Sequence, residues 1–133
     1  MRNKYDAVLF DLDGTLIDTS RGIIKCYKYV IQQMNLENVS DEKLRTFIGS
    51  NLFNAFKNNF SLNDNEARQA VSEYRKCYAE FGLYEAELYP GIESVLEHLH
   101  EQGYLIGIAT LKLQALAEKI IQHFGLYRYF DCI

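Results

Sequence analysis

The chain has 133 residues, with 14 Lys and Arg against 18 Asp and Glu for a formal net charge of −4. That length accommodates one domain, or one domain with a small insert, and can bury a real core. Hydrophobic residues at 48% and charged ones at 24% exclude disorder, collagen and coiled coil, and without a basic excess no nucleic acid polymer or anionic membrane is expected as a partner.

The opening residues Met1 to Asp6 lead into an apolar run of only Ala7 to Phe10. This is too short for a signal-peptide core or a membrane span, so a cytoplasmic protein is expected. Cys26, Cys77 and Cys132 are odd in number, widely spaced and without a CxxC pair. The pattern predicts reduced, buried packing thiols rather than a disulfide frame or a zinc site.

Ala7-Val8-Leu9-Phe10 is continuously apolar, as in a parallel strand covered on both faces, and Asp11-Leu12-Asp13-Gly14 breaks it. From Asp18-Thr19-Ser20, Ile23, Tyr27, Val30, Ile31 and Met34 recur at helical spacing to about Asn35. Ser40-Asp41-Glu42 caps a short helix to Phe47, and another short helix is expected through Phe56. Asn63 and Glu66 resemble a capping box, with Ala67, Ala70, Val71, Tyr74, Tyr78 and Phe81 along one face of the helix that follows. Nothing between Thr19 and Glu87 reads as a strand.

Tyr89-Pro90-Gly91 opens a helix marked by Ile92, Val95, Leu96 and Leu99, with Gly103 just past its end. Tyr104 to Thr110 reads as a second continuous apolar strand. Leu113, Leu116, Ala117, Ile120, Ile121 and Phe124 form the next helical stripe, closed by Gly125, and Tyr129 to Ile133 looks like the opening of a third strand. The order predicts an α/β parallel sheet with an all-helical insertion after strand one.

In parallel sheets, ligands bind beyond the carboxyl ends of the strands, and here those ends carry Asp11 with Asp13, and Thr110. Two carboxylates two residues apart repel unless a cation lies between them, and hard oxygen donors favour Mg²⁺. Gly14 permits a tight path that turns N–H groups toward an anion. The alternative is a solvated Asp-Gly turn. An EF-hand is excluded, because the remaining ligands and the terminal Glu do not fall at the required offsets.

Val8 to Asp18, with Asp11-Leu12-Asp13-Gly14-Thr15 at its centre, resembles the first motif of the haloacid dehalogenase (HAD) superfamily of phosphohydrolases. Leu88 to Gly91, Leu105 to Thr110 with Lys112, and His123 to Leu126 before Tyr129-Phe130-Asp131 resemble the second half of its phosphoglycolate phosphatase-like branch. Phe47-Ile48-Gly49, and Tyr74-Arg75 through Tyr78 with Gly82, are similar to bacterial 5′-nucleotidases within that branch.

The resemblance implies a HAD-like Rossmannoid core formed by residues 1–17 and 88–133, with an inserted helical cap over 18–87. It implies a Mg²⁺-dependent phosphatase for a small phosphomonoester such as a nucleotide, phosphoglycolate or a sugar phosphate. Asp11 would be the nucleophile and Asp13 the general acid and base. Mg²⁺ would be held by the Asp11 carboxylate and the Asp13 backbone carbonyl. Thr110 and the N–H groups from Leu12 to Gly14 would bind phosphate, with Lys112 either facing the site or simply solvated. Gly49, with Ser50 and Asn51, would form the cap specificity loop. A phosphoryl mutase would share the same two aspartates.

The family's later lysine and acidic metal ligands have no counterpart here, so the core is expected to be incomplete and this chain nearly inactive. Its first strand would then be an exposed apolar edge that invites self-association or a complementing partner, which makes a non-catalytic fragment the alternative function. No histidine metal site is expected, since His98 and His100 point in different directions and His123 ends a helix. The ten tyrosines and eight phenylalanines read chiefly as core packing.

Overall fold

The computed structural model describes residues 4–133, which form two compact units: one contains the chain up to Thr19 and from Glu87 onward, the other Ser20 to Ala86. Among the described residues no helix is long and apolar enough to cross a membrane.

In the first unit, β1 (Ala7–Phe10) pairs in parallel with a later strand, Leu105–Ile108, matching Ala7 to Leu105 and Phe10 to Ile108. Between them β2 (Ile17–Asp18) pairs antiparallel with β3 (Glu87–Leu88). Gly91, at φ 83°, makes the turn that starts helix Ile92–Glu101, whose Leu96 is fully buried. Gly103, at φ 78°, ends that helix as expected and leads into the strand Leu105–Ile108. Ile106, Ala117, Ile120, Ile121, Leu126 and Tyr129 are buried in this unit, three of them on the helix Gln114–His123.

The second unit contains α1 (Ser20–Gln33), α2 (Asp41–Arg45), α3 (Leu52–Asn59) and α4 (Asp64–Glu80), then a 3₁₀ turn at Gly82–Tyr84. The two helices of the first unit are accordingly α5 and α6, and its second parallel strand is β4. Each of α2, α3 and α4 begins on a side-chain cap: Ser40 accepts from the Lys43 N–H, Asn51 from Asn54 and Asn63 from Glu66. Asn63 also donates to the Glu66 carboxylate at 2.5 Å, tightening the start of α4. The core is aromatic: the Tyr27 ring lies 5.3 Å from Phe47, 5.0 Å from Phe56 and 5.1 Å from Tyr74.

Two glycines bring α1 against the 3₁₀ turn. A Cβ placed on Gly22 would meet the Gly82 carbonyl oxygen at 1.9 Å, and one on Gly82 would meet Cys26 Sγ at 2.6 Å.

Four expectations are corrected. β1 is not covered on both faces among the described residues, since Leu9 is 69% exposed and the strand bonds on one side only, to β4. The third strand is reduced to a single bridge from Cys132 to Gly107, because Tyr127–Tyr129 winds into a 3₁₀ turn first. Phe81 is exposed because α4 ends at Glu80 and its cap residue departs from helical geometry, at φ −129° and ψ −55°. Cys132 is also exposed, lying on the bridge segment outside any helix, whereas Cys26 and Cys77 are buried.

Candidate active site

The site follows from strand register. Phe10 lies opposite Ile108, and the Ala109 N–H donates to the Phe10 carbonyl at 2.9 Å, so Asp11 and Thr110 leave the sheet from the same carboxyl edge. Beyond Asp11 the chain turns on Leu12, whose side chain is fully buried and whose carbonyl accepts from the N–H groups of Thr15, Leu16 and Ile17 at 3.2, 2.9 and 3.3 Å. The Gly14 N–H closes the same turn by donating to the Ile17 carbonyl at 2.9 Å, with Gly14 at φ 79°. A buried apolar anchor thus sets the direction of two flanking acidic residues.

Asp11 Oδ1 accepts the Leu12 N–H at 2.8 Å, which fixes the carboxylate against its own backbone. The N–H groups of Leu12 and Gly14, both expected at a phosphate, are therefore engaged within the turn. Thr110 Oγ1 accepts the Lys112 N–H at 3.1 Å, and its hydroxyl hydrogen still has to find an acceptor elsewhere.

Lys112 is drawn into this group. Its side chain is only 8% exposed, and its Nζ donates to both Asp13 oxygens, at 3.1 Å and 3.3 Å. The pair joins residues 99 apart in sequence and brings the loops after β1 and β4 together. Charge-assisted bonds to a partly buried carboxylate are stronger than neutral ones, so the contact also orients Asp13. The only sequence signal for it is a basic residue two positions after a strand-end threonine. The flanking Leu111 and Leu113 are exposed.

The donors present suit a small hard cation. Asp11 offers carboxylate oxygen, and no backbone hydrogen bond among the described residues ends on the Asp13 carbonyl. Mg²⁺ characteristically takes one or two protein oxygens and completes its shell with water and phosphate. With Lys112 occupying the Asp13 carboxylate, the carbonyl of Asp13 is its better donor.

Gly49, Ser50 and Asn51 lie in the second unit, between α2 and α3. Gly49 takes φ 84°, Ser50 Oγ donates to the Phe47 carbonyl at 2.5 Å, and Asn51 caps α3. The two polar side chains of this loop thus have local structural partners. The histidines have local contacts as well: His100 meets Tyr129 edge-on at 5.9 Å, and His123 meets Phe124 at 5.3 Å.

Comparison with known proteins places this geometry in a family. The haloacid dehalogenase-like hydrolase model matches residues 8–133. The 5′-nucleotidase of Pseudomonas aeruginosa is 33% identical over 130 residues, a match that covers 98% of this chain and 59% of that protein. Phosphoglycolate phosphatase of Aquifex aeolicus is 31% identical over 126 residues, covering 95% of this chain and 58% of that protein. A haloacid dehalogenase-like family hydrolase from Streptococcus pneumoniae superposes with a TM-score of 0.86 at 33% identity, covering 96% of this chain and 60% of that one. The chain therefore spans about three fifths of the length of these relatives. With a family match from Val8 to the last residue and the same α/β fold, the chain belongs to the haloacid dehalogenase-like hydrolases.

Proposed function

We propose that the chain carries the nucleophile half of a Mg²⁺-dependent phosphatase acting on a small phosphomonoester, such as a nucleotide, phosphoglycolate or a sugar phosphate. The observation that carries this reading is the Asp13–Lys112 pair, 3.1 Å long, beside Asp11 at the carboxyl edge of β1 and β4. The family match and the relatives' names support it. In this reading residues 1–17 and 88–133 are the catalytic core, and 18–87 are a helical cap that carries the specificity loop Gly49–Asn51.

An Asp11 carboxylate oxygen attacks phosphorus, and the bond to the leaving oxygen breaks. Asp13 delivers a proton to that oxygen, then takes one from water as the water attacks the aspartyl-phosphate and frees Asp11. Lys112 holds Asp13 in place through both carboxylate oxygens, and Thr110 donates its hydroxyl to a phosphoryl oxygen. Mg²⁺, held by the Asp11 carboxylate and the Asp13 carbonyl, supplies positive charge to the phosphoryl oxygens when bound.

The test is hydrolysis of an aryl phosphate with and without Mg²⁺, comparing this chain with Asp11→Asn, together with hydroxylamine capture of the acyl phosphate at Asp11. Mg²⁺-dependent release that the substitution abolishes, with a hydroxamate at Asp11, supports the reading. Absence of a hydroxamate at Asp11 together with turnover no greater than that of Asp11→Asn refutes it, whereas a hydroxamate without turnover marks a catalytically incomplete core.

A second reading, association through β1, is favoured by its one-sided pairing and by Leu9 standing 69% exposed. It predicts a mass that rises with concentration in light scattering, and a monomer at every concentration refutes it.

A further inference from the structure

Cys26 on α1 and Cys77 on α4 are 51 residues apart in sequence, yet their sulfur atoms lie 2.9 Å from each other. Cys26 is fully buried and Cys77 is 6% exposed. Gly82 crowds the pair from the 3₁₀ turn, where its Cβ position lies 2.6 Å from Cys26 Sγ and 3.0 Å from Tyr78. The two thiols therefore have little room to separate, and the packing of α1 on α4 holds them face to face.

A metal ion does not suit this arrangement. Two thiolates on one zinc, each at about 2.3 Å, stand well over 3 Å apart. The described residues also contain no group of three His, Cys, Asp or Glu that could hold an ion. A disulfide, at about 2.05 Å, needs only a closure of less than an ångström.

We propose that Cys26 and Cys77 are a modification site, an oxidisable pair that a small hydroperoxide converts into a disulfide joining α1 to α4. Cys77 has the greater exposure and is the point of entry. Its sulfur attacks one peroxide oxygen, the O–O bond breaks, and water (or an alcohol) leaves as Cys77 becomes a sulfenic acid. The Cys26 sulfur then attacks the Cys77 sulfur, the S–O bond breaks and a second water leaves. The thiols lose two protons and two electrons in all, and the peroxide is reduced.

Burial raises the Cys26 thiol above its ordinary pKa, which keeps it protonated at neutral pH. The closing attack by Cys26 is accordingly slow, and the disulfide forms only under sustained oxidant. Once closed, the bond spans a long loop and removes much of the conformational freedom of the unfolded helical unit. Exposed Cys132 has no neighbouring thiol in the described structure and serves as an internal control.

The experiment treats the intact chain with hydrogen peroxide and counts free thiols in denaturant. Peptides are mapped without reductant, and melting is followed before and after. Expected are a linked peptide containing Cys26 and Cys77, two fewer titratable thiols in a Cys132→Ser background, and a melting temperature raised by roughly 10 °C that dithiothreitol reverses. Cys26→Ala and Cys77→Ala should each remove the linked peptide and the reversible rise. Retention of both thiols, linkage only through Cys132, or a disulfide that leaves melting unchanged would overturn the proposal.

Discussion

Replacing Gly22 by alanine sets two effects of opposite sign against each other. Gly22 is buried in the first turn of α1, where alanine would by propensity alone stabilise the helix by about 1 kcal/mol. The added Cβ, however, would lie 1.9 Å from the Gly82 carbonyl oxygen and 2.9 Å from its carbon. Those atoms are backbone, so no rotamer change relieves the overlap. Relief requires the 3₁₀ turn to move off α1, taking with it Leu83, which is fully buried. Overpacking of this kind costs about 3 kcal/mol or somewhat more, which leaves a net loss of roughly 2–3 kcal/mol. With a urea slope of about 1.5–2 kcal/mol/M for a chain of this size, the midpoint should fall by about 1–2 M. Because the chain has no tryptophan, the assay is far-ultraviolet circular dichroism. A midpoint equal to or above that of the parent, with the same slope, would mean that helix propensity wins and that the close approach of α1 to the turn is not obligatory. Gly125→Ala separates the two sources of cost, since its Cβ meets nothing within 4 Å while its φ is 70°. Its loss should be about 1 kcal/mol and purely conformational.

Other outcomes follow from single contacts. The Tyr27 hydroxyl is buried without a hydrogen-bond partner among the described residues, so Tyr27→Phe should leave stability unchanged or raise it by about 1 kcal/mol in the same assay. Any clear destabilisation would point to a water or side chain serving that hydroxyl. Lys112→Met should lower kcat/KM on an aryl phosphate by about ten- to hundredfold with little change in melting, and unchanged turnover would remove Lys112 from the site. Burial raises the Tyr27 hydroxyl from 10.0 to about 12 and pushes Tyr74 upward as well. The folded state thus retains protons that the unfolded state has lost, and stability should be full below pH 10 and decline as pH rises toward 12. Denaturation midpoints taken across that range test the sign, and a rise with pH would contradict it.

The parts of the molecule that the sequence discloses are those written into consecutive residues. The turn after β1 is legible because a continuous apolar run stops abruptly at Asp11, and the helices because caps such as Ser40 and Asn63 precede apolar stripes. Helical spacing alone assigns Tyr27 and Tyr74 to the core, and both are buried. Phe81 obeys the same spacing but lies past the last helical residue, where periodicity no longer predicts direction. The pair β2–β3 is only two residues long on each side, too short to leave an alternation in the sequence. The Asp13–Lys112 contact depends on parallel register between distant strands, and nothing local encodes which carboxylate a lysine will reach.

The helical unit is entered and left through one short pair of strands. The chain departs through Ile17–Asp18 and returns through Glu87–Leu88, side by side in one antiparallel pair. Just inside the helical unit, Glu85 near its end reaches Lys25 at 2.8 Å and Arg21 at 3.4 Å near its beginning. Residues 20–86 therefore have both ends gathered at one place. Closing a loop costs little more when the loop is longer, so inserts of different size can be exchanged at such a junction. The strand ends that carry Asp11 and Thr110 need not change with them. What lies between Asp18 and Glu87 can therefore be replaced as a cassette, leaving the strand-end residues where they are.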